Sequence, residues 1–302
     1  MEKRILGRTG LEVSVIGFGA MTIGGVFGAV DDSESIRALN TAVDKGINFI
    51  DTSDAYGSGH SEEVLARFLR ERSDRDQILI CTKGGNNMVT RQLNFTPDYI
   101  QNCVESSLKR LGLETIDLYL LHNPGVDNIE NEDSFDLLDA FVEEGKIRHW
   151  GVSVNTVPEC ELTIKNGRPA VMQMEYNFLE REPEMVFEKA TKSDIGIIAR
   201  VPFKRGFFTG RFKEGHTFAE GDIRALLLTP ENMKKFKVRL DKLQEISNEI
   251  GMSTAELALR FCISNNNVAT VATGIRTAQQ SSQNAAFGGA LPAELIEKLR
   301  NL

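Results

Sequence analysis

Cysteine is scarce in this chain and widely dispersed. There are four, Cys81, Cys103, Cys160 and Cys262, and no two form a C-x-x-C pair. That spacing argues against a structural zinc site and against a disulfide framework. Long apolar runs are missing too. No stretch approaches membrane-spanning length, and Met1 to Gly7 lack the apolar core of a secretory leader. Positive charge is in deficit, 35 Lys and Arg against 43 Asp and Glu, for a formal net charge of −8. The basic residues are scattered, which leaves neither a nucleic-acid face nor a surface for an anionic membrane. No linker, charge block or low-complexity stretch interrupts the chain. These absences together describe a reduced, soluble, cytoplasmic protein with no nucleic-acid or membrane partner. They still admit a phosphorylated cofactor, which needs only a local cluster of basic groups.

What is present is a rhythm. With 302 residues and 41% hydrophobic content, the chain can form one large α/β barrel or two smaller domains. Short apolar runs at 15–19, 48–51, 78–82, 116–121, 147–154, 171–176, 196–200 and 268–273 read as eight strands. Most are continuously apolar, as parallel strands buried on both faces must be. Amphipathic helices are expected between and after them, at 33–45, 61–72, 97–111, 131–144, 158–165, 184–192, 230–250, 254–263, 279–287 and 292–300. Ser61, and Thr96 ahead of Pro97, read as N-caps, and Gly46 reads as a C-cap. Eight strand–helix alternations point to a (β/α)8 TIM barrel over residues 1–302 as one domain, opened by a β-hairpin around Gly7 to Gly10. A doubly wound sheet is the alternative. It calls for a glycine-rich phosphate turn after the first strand, and Gly17-Phe18-Gly19-Ala20-Met21-Thr22 is not G-x-G-x-x-G.

A barrel carries its chemistry at the C-terminal ends of its strands. The second strand ends at Asp51, the third runs into Lys83 and the fourth ends at His122, with Tyr56 just past the second. Taken one at a time, these are a strand-end acid, a snorkelling lysine, a turn histidine and a loop aromatic. Together they suit proton donation to a carbonyl oxygen. A free phenol has a pKa of roughly 10 and is a weak acid at neutral pH. An adjacent ammonium favours the phenolate and lowers that value. Lys83 would supply the charge, Asp51 would hold Lys83, and His122 would hydrogen-bond the substrate oxygen. His60, His149 and His216 read as surface or loop residues.

Several separated motifs resemble the aldo-keto reductase family. They are the run from Gly46 to Gly57, Thr82-Lys83, Asp117 to His122, Gly151-Val152-Ser153, Gln173 to Asn177 and Gly206 to Gly210, and they span nearly the whole chain. The resemblance implies a (β/α)8 fold, NADP(H) bound in extended form, a small-molecule carbonyl substrate, and the four roles above. It also implies that Ser153 and Gln173 hold the nicotinamide carboxamide. The segment Val201, Pro202, Phe203, Gly206, Gly210 and Arg211 would wrap the pyrophosphate. Gly274, Arg276, Gln280 and Asn284 would take the adenosine end, Arg276 on a 2′-phosphate and Asn284 facing the adenine.

Three positions depart from the family pattern. Val154 stands where an Asn is usual, with Asn155 one place on. Arg200 stands where an aromatic usually stacks on the nicotinamide, so a guanidinium there favours the neutral reduced ring. Thr273 stands where a proline usually precedes the glycine. The implied activity is NADPH-dependent reduction of an aldehyde or ketone. The alternatives are NADP-dependent oxidation of a sugar or other alcohol, a cofactor-sensing regulatory subunit, and a Schiff-base aldolase using Lys83. Substrate choice is assigned to the loops 24–30, 86–94, 123–129 and 204–229. Phe27 and Phe207 are either pocket walls or packing residues. Nothing after Leu302 folds over the pocket, so an open site is expected. The sequence carries no mark of oligomeric state.

Overall fold

The first fourteen residues form a plug. Strands β1 (Lys3–Ile5) and β2 (Glu12–Ser14) pair antiparallel, Lys3 opposite Ser14 and Ile5 opposite Glu12. A single 3-10 turn, Gly7–Thr9, joins them. Leu6 and Val13, both fully buried, pack under the barrel against Phe49, Leu118, Val171 and Ile198. Arg8 fastens the plug by donating to the carbonyls of Gly167, Arg168 and Pro169. This computed structural model describes residues 1–87, 90, 92–212 and 215–302. Positions 88, 89 and 91 of the expected loop 86–94, and positions 213 and 214 of the loop 204–229, lie outside the described residues.

The barrel follows. Its strands are β3 (Ile16–Gly19), β4 (Phe49–Asp51), β5 (Leu79–Gly84), β8 (Ile116–His122), β9 (Ile147–Val154), β10 (Val171–Glu175), β11 (Gly196–Arg200) and β12 (Thr270–Gly274). All neighbours are parallel, and β12 pairs with β3 to close the ring. A two-residue hairpin, β6 (Asn86–Asn87) with β7 (Gln92–Leu93), rises from the end of β5. The fold is the expected (β/α)8 barrel with an N-terminal hairpin. The first expected strand, 15–19, is found as Ile16–Gly19, set off from the plug where Ser14 turns its hydroxyl to the Ile16 carbonyl at 2.7 Å.

The helices are α1 (Asp32–Asp44), α2 (His60–Arg70), α3 (Pro97–Leu111), α4 (Gly125–Glu130), α5 (Asp133–Glu143), α6 (Val157–Asn166), α7 (Glu184–Lys192), α8 (Arg224–Leu227), α9 (Pro230–Ile250), α10 (Thr254–Ile263), α11 (Ala278–Ala286) and α12 (Ala293–Arg300). Several start where the sequence offers a side-chain acceptor for a free helix N–H. Asp31 accepts from Ser33 N at 2.8 Å, and Thr156 with Glu159 forms a capping box on α6. Ser61 is a correction. It lies inside α2, which begins after Gly59 at φ +96°, and its buried hydroxyl bonds Thr52 and the Ala20 carbonyl instead. The loop 123–129 is also largely helical, as α4.

Alternation along each strand sends every second side chain inward. Phe49, Cys81, Leu118, Leu120, Val171 and Ile198 fill the bore, while Ile50, Ile80, Leu121, Val152 and Met172 face the helices. The same parity carries Asp51, Lys83, His122, Ser153, Gln173, Glu175 and Arg200 to the inner face at the C-terminal mouth. All four cysteines are free and buried. Among the described residues, no helix is long and apolar enough to cross a membrane, and no group of His, Cys, Asp and Glu is arranged to hold a metal ion.

Candidate active site

The mouth is built from the strand ends. Lys83 is fully buried, and its ammonium lies 2.7 Å from Asp51 Oδ1 and 2.7 Å from the Thr52 carbonyl. The same ammonium is 5.3 Å from the centre of the Tyr56 ring. That ring stands edge-on to His122, with centroids 5.9 Å apart and planes at 86°. The four residues that the strand ends select therefore meet in one buried cluster.

Tyr56 is positioned by close backbone contact. Gly57 has φ +65°, and a Cβ on it would meet the Gly24 carbonyl oxygen at 2.0 Å. Only glycine fits there, and the contact presses the Tyr56 turn against the 24–30 loop. Beyond β4, Thr52 N–H donates to Cys81 O at 2.8 Å and Asp54 N–H to Lys83 O at 3.1 Å. The chain thus stays in strand register past Asp51, and Ser53 faces inward. Its hydroxyl lies 3.1 Å from His122 Nδ1.

Burial and charge act on these groups in different directions. Burial raises the Tyr56 phenol above its ordinary value; the ammonium of Lys83 opposes this but does not win. That corrects the expectation of a net lowering. Burial works against the Lys83 ammonium, yet the charge of Asp51, with Tyr56, more than offsets it, and the pKa is raised. For His122, burial and then the charges of Lys83 and Arg200 all act downwards, to well below the usual imidazole value. His122 is therefore neutral at physiological pH.

The residues assigned to a nicotinamide end lie beside this cluster. Ser153 and Gln173 are register partners on β9 and β10. Ser153 Oγ donates to Asn123 Oδ1 at 3.1 Å, and Gln173 Nε2 donates to Asp51 Oδ1 at 2.8 Å. Arg200, at the end of β11, donates through Nη2 to Val154 O at 3.3 Å and Asn155 Oδ1 at 2.7 Å. Its Nε is buried with no hydrogen-bond partner among the described residues. Asn155, displaced by one position from the family pattern, is thus the side chain that aims the guanidinium. Thr273 sends its hydroxyl to Gly17 O at 2.9 Å, joining the last barrel strand to the first.

The phosphate-end residues are divided between two places. Val201 takes φ +61°, uncommon for a β-branched residue, with Asn177 Nδ2 on its carbonyl at 3.3 Å. Pro202 and Phe203 lead into a 3-10 segment, Lys204–Thr209. Within it, Lys204 is held by Glu175 and Glu180, and Arg205 by Glu175. Gly206 sits under the Arg211 guanidinium, and Gly210 ends the segment at φ +72°. Arg211 has no ion-pair partner among the described residues. Burial and then the charges of Arg224 and Arg276 lower its pKa. Gly274 closes β12. Arg276 N–H donates to Gln280 Oε1 at 2.8 Å, and its guanidinium donates to the carbonyls of Phe27 and Ala29. Asn284 is buried on α11.

Several residues at the mouth were not anticipated. Ser53 lies within the Gly46–Gly57 run, and the strand parity of 49, 51 and 53 marks it. Glu175 shares a face with Gln173 two places on. Arg224 sits in the long loop, chelates Asp222 through Nε and Nη2, and stands over the Phe27 ring at 4.8 Å. No periodicity marks it. Phe27 is therefore a packing partner of Arg224. Phe207 is buried edge-on against Phe208 and Phe236, so it is core and not a pocket wall. His60 bonds Asp32 at 2.8 Å on the surface.

Residues 15–302 match the family model described as the Aldo/keto reductase family. The chain is 34% identical over 275 residues to an aldo-keto reductase of Bacillus subtilis (strain 168), covering 87% of this chain and 81% of that protein. It is 32% identical over 301 residues to an aldo-keto reductase of Schizosaccharomyces pombe whose name specifies NADP(+), covering 94% and 86%. Among solved structures, an aldo-keto reductase of Bacillus halodurans in its holo form superposes with a TM-score of 0.83 at 28% identity, covering 100% of this chain and 96% of that one.

Proposed function

The chain belongs to the aldo/keto reductase family, which makes it an oxidoreductase, and from that premise we propose that it reduces an aldehyde or ketone to an alcohol with NADPH. The observation that carries this reading is the buried cluster in which one Lys83 ammonium touches Asp51 and stands beside the Tyr56 ring, with His122 across from the phenol. The residues present fit the cofactor. The unpartnered Nε of Arg200 offers a donor at the mouth. Arg224 and Arg276 both lie close enough for their charges to act on Arg211, and a phosphate-bearing ligand is suited to such a group. NADP(+) in the name of the S. pombe relative supports the phosphorylated form.

When bound, such a cofactor supplies a hydride. The rest is the work of this chain. His122, neutral, hydrogen-bonds the carbonyl oxygen when its Nε2 carries the ring proton. Tyr56, held protonated by burial, delivers its proton to that oxygen as negative charge develops there. Lys83 then faces the phenolate left behind and stabilises it, and Asp51 keeps the ammonium charged and in place. Gln173 and Ser153 would hold the carboxamide of the nicotinamide, whose donors and acceptors both need partners.

The test is NADPH oxidation across aldehydes, diketones, aldoses and pyridoxal, run also in reverse with NADP⁺ and alcohols, with Tyr56→Phe as control. The substitution is expected to lower kcat by about 10²- to 10⁴-fold while NADPH still binds. Activity that survives it would remove Tyr56 from its role. Tight NADPH binding with no turnover of any substrate would instead favour a cofactor-sensing regulatory protein.

A further inference from the structure

The Ser53 hydroxyl sits at a junction. It lies 3.1 Å from His122 Nδ1, 3.3 Å from Asp54 Oδ1 and 3.3 Å from the Lys83 carbonyl, and it accepts from Ala55 N–H at 3.2 Å. A hydroxyl has one proton to give and two lone pairs to receive on. Ala55 takes one lone pair. The other is filled either by His122 Nδ1–H or by a proton on Asp54. The Lys83 carbonyl already accepts from Asp54 N–H at 3.1 Å, so the hydroxyl proton goes to whichever of His122 or Asp54 is not donating. Two arrangements satisfy every atom, and they differ in the tautomer of a neutral His122.

We propose that Asp54, acting through the Ser53 hydroxyl, sets the tautomer of His122 and so decides whether Nε2 offers a proton or a lone pair to the substrate oxygen. With Asp54 ionised, Ser53 donates to the carboxylate, Nδ1–H donates to Ser53, and Nε2 is an acceptor. With Asp54 protonated, the carboxyl donates to Ser53, Ser53 donates to Nδ1, and Nε2 carries the hydrogen. One proton separates the two states. Taken up at Nε2, it is matched by the shift of the Nδ1 proton to Ser53 and of the Ser53 proton to Asp54, so the imidazole stays neutral. The first state suits an alcohol hydroxyl that must donate; the second suits a carbonyl oxygen that must accept.

Asp54 is built to titrate in a useful range. Burial and then the charge of Glu62 push its carboxyl up to about 6, against weaker opposing contributions from Cys103, Arg110 and Ser53. The groups facing it are Glu62 on α2, Cys103, Arg110 and Tyr99 on α3, and Tyr119 on β8. Glu62 is fixed by Arg110 at 2.6 Å and Thr82 at 2.6 Å. Those facing His122 are Lys83, Arg200 and Tyr56. Asp54 touches no substrate and is a positioning residue.

The kinetic consequence rests on the carbonyl-reduction reading, whereas the tautomer can be read without turnover. The chain has four histidines, so ¹⁵N-labelled imidazoles can be resolved in the whole protein and His122 assigned through a His122→Asn variant. The expected result is that the His122 nitrogens exchange donor and acceptor shifts with a midpoint near pH 6. In Asp54→Asn the tautomer stops responding to pH, and in Ser53→Ala it no longer follows Asp54. In the wild type, kcat for reduction falls on the order of a hundredfold across the same midpoint, the worth of one aimed donor, and oxidation does not fall. One fixed tautomer across that range in the wild type, or a switch that persists in either variant, overturns the proposal. A protein that switches His122 but reduces no carbonyl would overturn the functional reading and leave this one standing.

Discussion

Asp51 and Gln173 stand on strands diametrically opposite in the closed barrel, β4 and β10, and are joined by a 2.8 Å hydrogen bond across the bore. The oxygen that accepts it, Oδ1, also holds Lys83 at 2.7 Å. A carboxylate can only accept, so the Gln173 amide must turn its NH2 towards Asp51 and its oxygen away. The residue assigned to the nicotinamide is thereby tied to the cluster of Asp51, Lys83, Tyr56 and His122. Gln173→Leu is expected to weaken NADPH binding by about tenfold and to lower kcat as well, since one lost hydrogen bond to a charged group is worth about 1.5–3 kcal/mol. Titration of NADPH fluorescence beside steady-state kinetics separates the two effects. A change in affinity with kcat untouched would mean that the bond across the bore does not couple them.

Arg200 is expected to bias the cofactor's redox state. Its guanidinium is aimed by Asn155 and the Val154 carbonyl, with a buried Nε still free. Beside a positively charged oxidised ring it is repelled; beside the neutral reduced ring it is not. Arg200→Trp should therefore lower the ratio of the NADP⁺ to the NADPH dissociation constant by several-fold. An unchanged ratio in calorimetric titrations would rule out a role for this charge.

Arg276 is expected to serve two ligands. It is the residue assigned to the 2′-phosphate, and it already holds the carbonyls of Phe27 and Ala29 in the 24–30 loop. Arg276→Leu should weaken NADPH binding by about 10- to 100-fold, the worth of a charge-assisted contact, and NADH binding much less. It should also increase amide exchange in the 24–30 loop. Equal losses for the two cofactors would place the 2′-phosphate elsewhere.

Asp54 should leave a mark on stability. An acid whose pKa is raised on folding, here from 3.8 to about 6, binds more protons folded than unfolded between those values. Stability therefore falls as pH rises from 3.8 to about 6 and is level beyond. The gap corresponds to at most about 3 kcal/mol. Asp54→Asn should melt several degrees higher than the wild type at neutral pH, with the difference vanishing towards pH 3.8. Thermal melts at both ends of the range check this; a variant less stable at neutral pH would show that the ionised carboxylate is net favourable.

The barrel was legible because its strands are buried on both faces and so read as unbroken apolar runs ending in single polar residues. Asp51, Lys83 and His122 could be found as those endings. The commitments of the outer residues were not legible. Arg276 has the right chemistry for phosphate, but only the folded chain shows its guanidinium on the Phe27 and Ala29 carbonyls. Arg224 draws its surroundings from Asp222, Phe27, Phe212 and Phe218, three of which lie within or beside one irregular loop. Ser61 illustrates the opposite error. Its type and place suggest an N-cap, yet a buried contact with Thr52 outbids that local preference.

The seam between β12 and β3 bears on how the chain is made. Thr273 reaches the Gly17 carbonyl across 256 positions, Ala272 and Gly274 pair with Gly17 and Gly19, and Thr22 bonds the Ile275 carbonyl. On the ribosome, β3 is made long before the partner strand that closes the ring against it. Until then the growing protein is an open parallel sheet with two bare edges, the kind of species that invites wrong pairing and the attention of chaperones. Closure also sets Thr22 and the loop behind it against the Tyr56 turn. The turn that carries Tyr56 therefore gains its full set of neighbours only when the ring shuts.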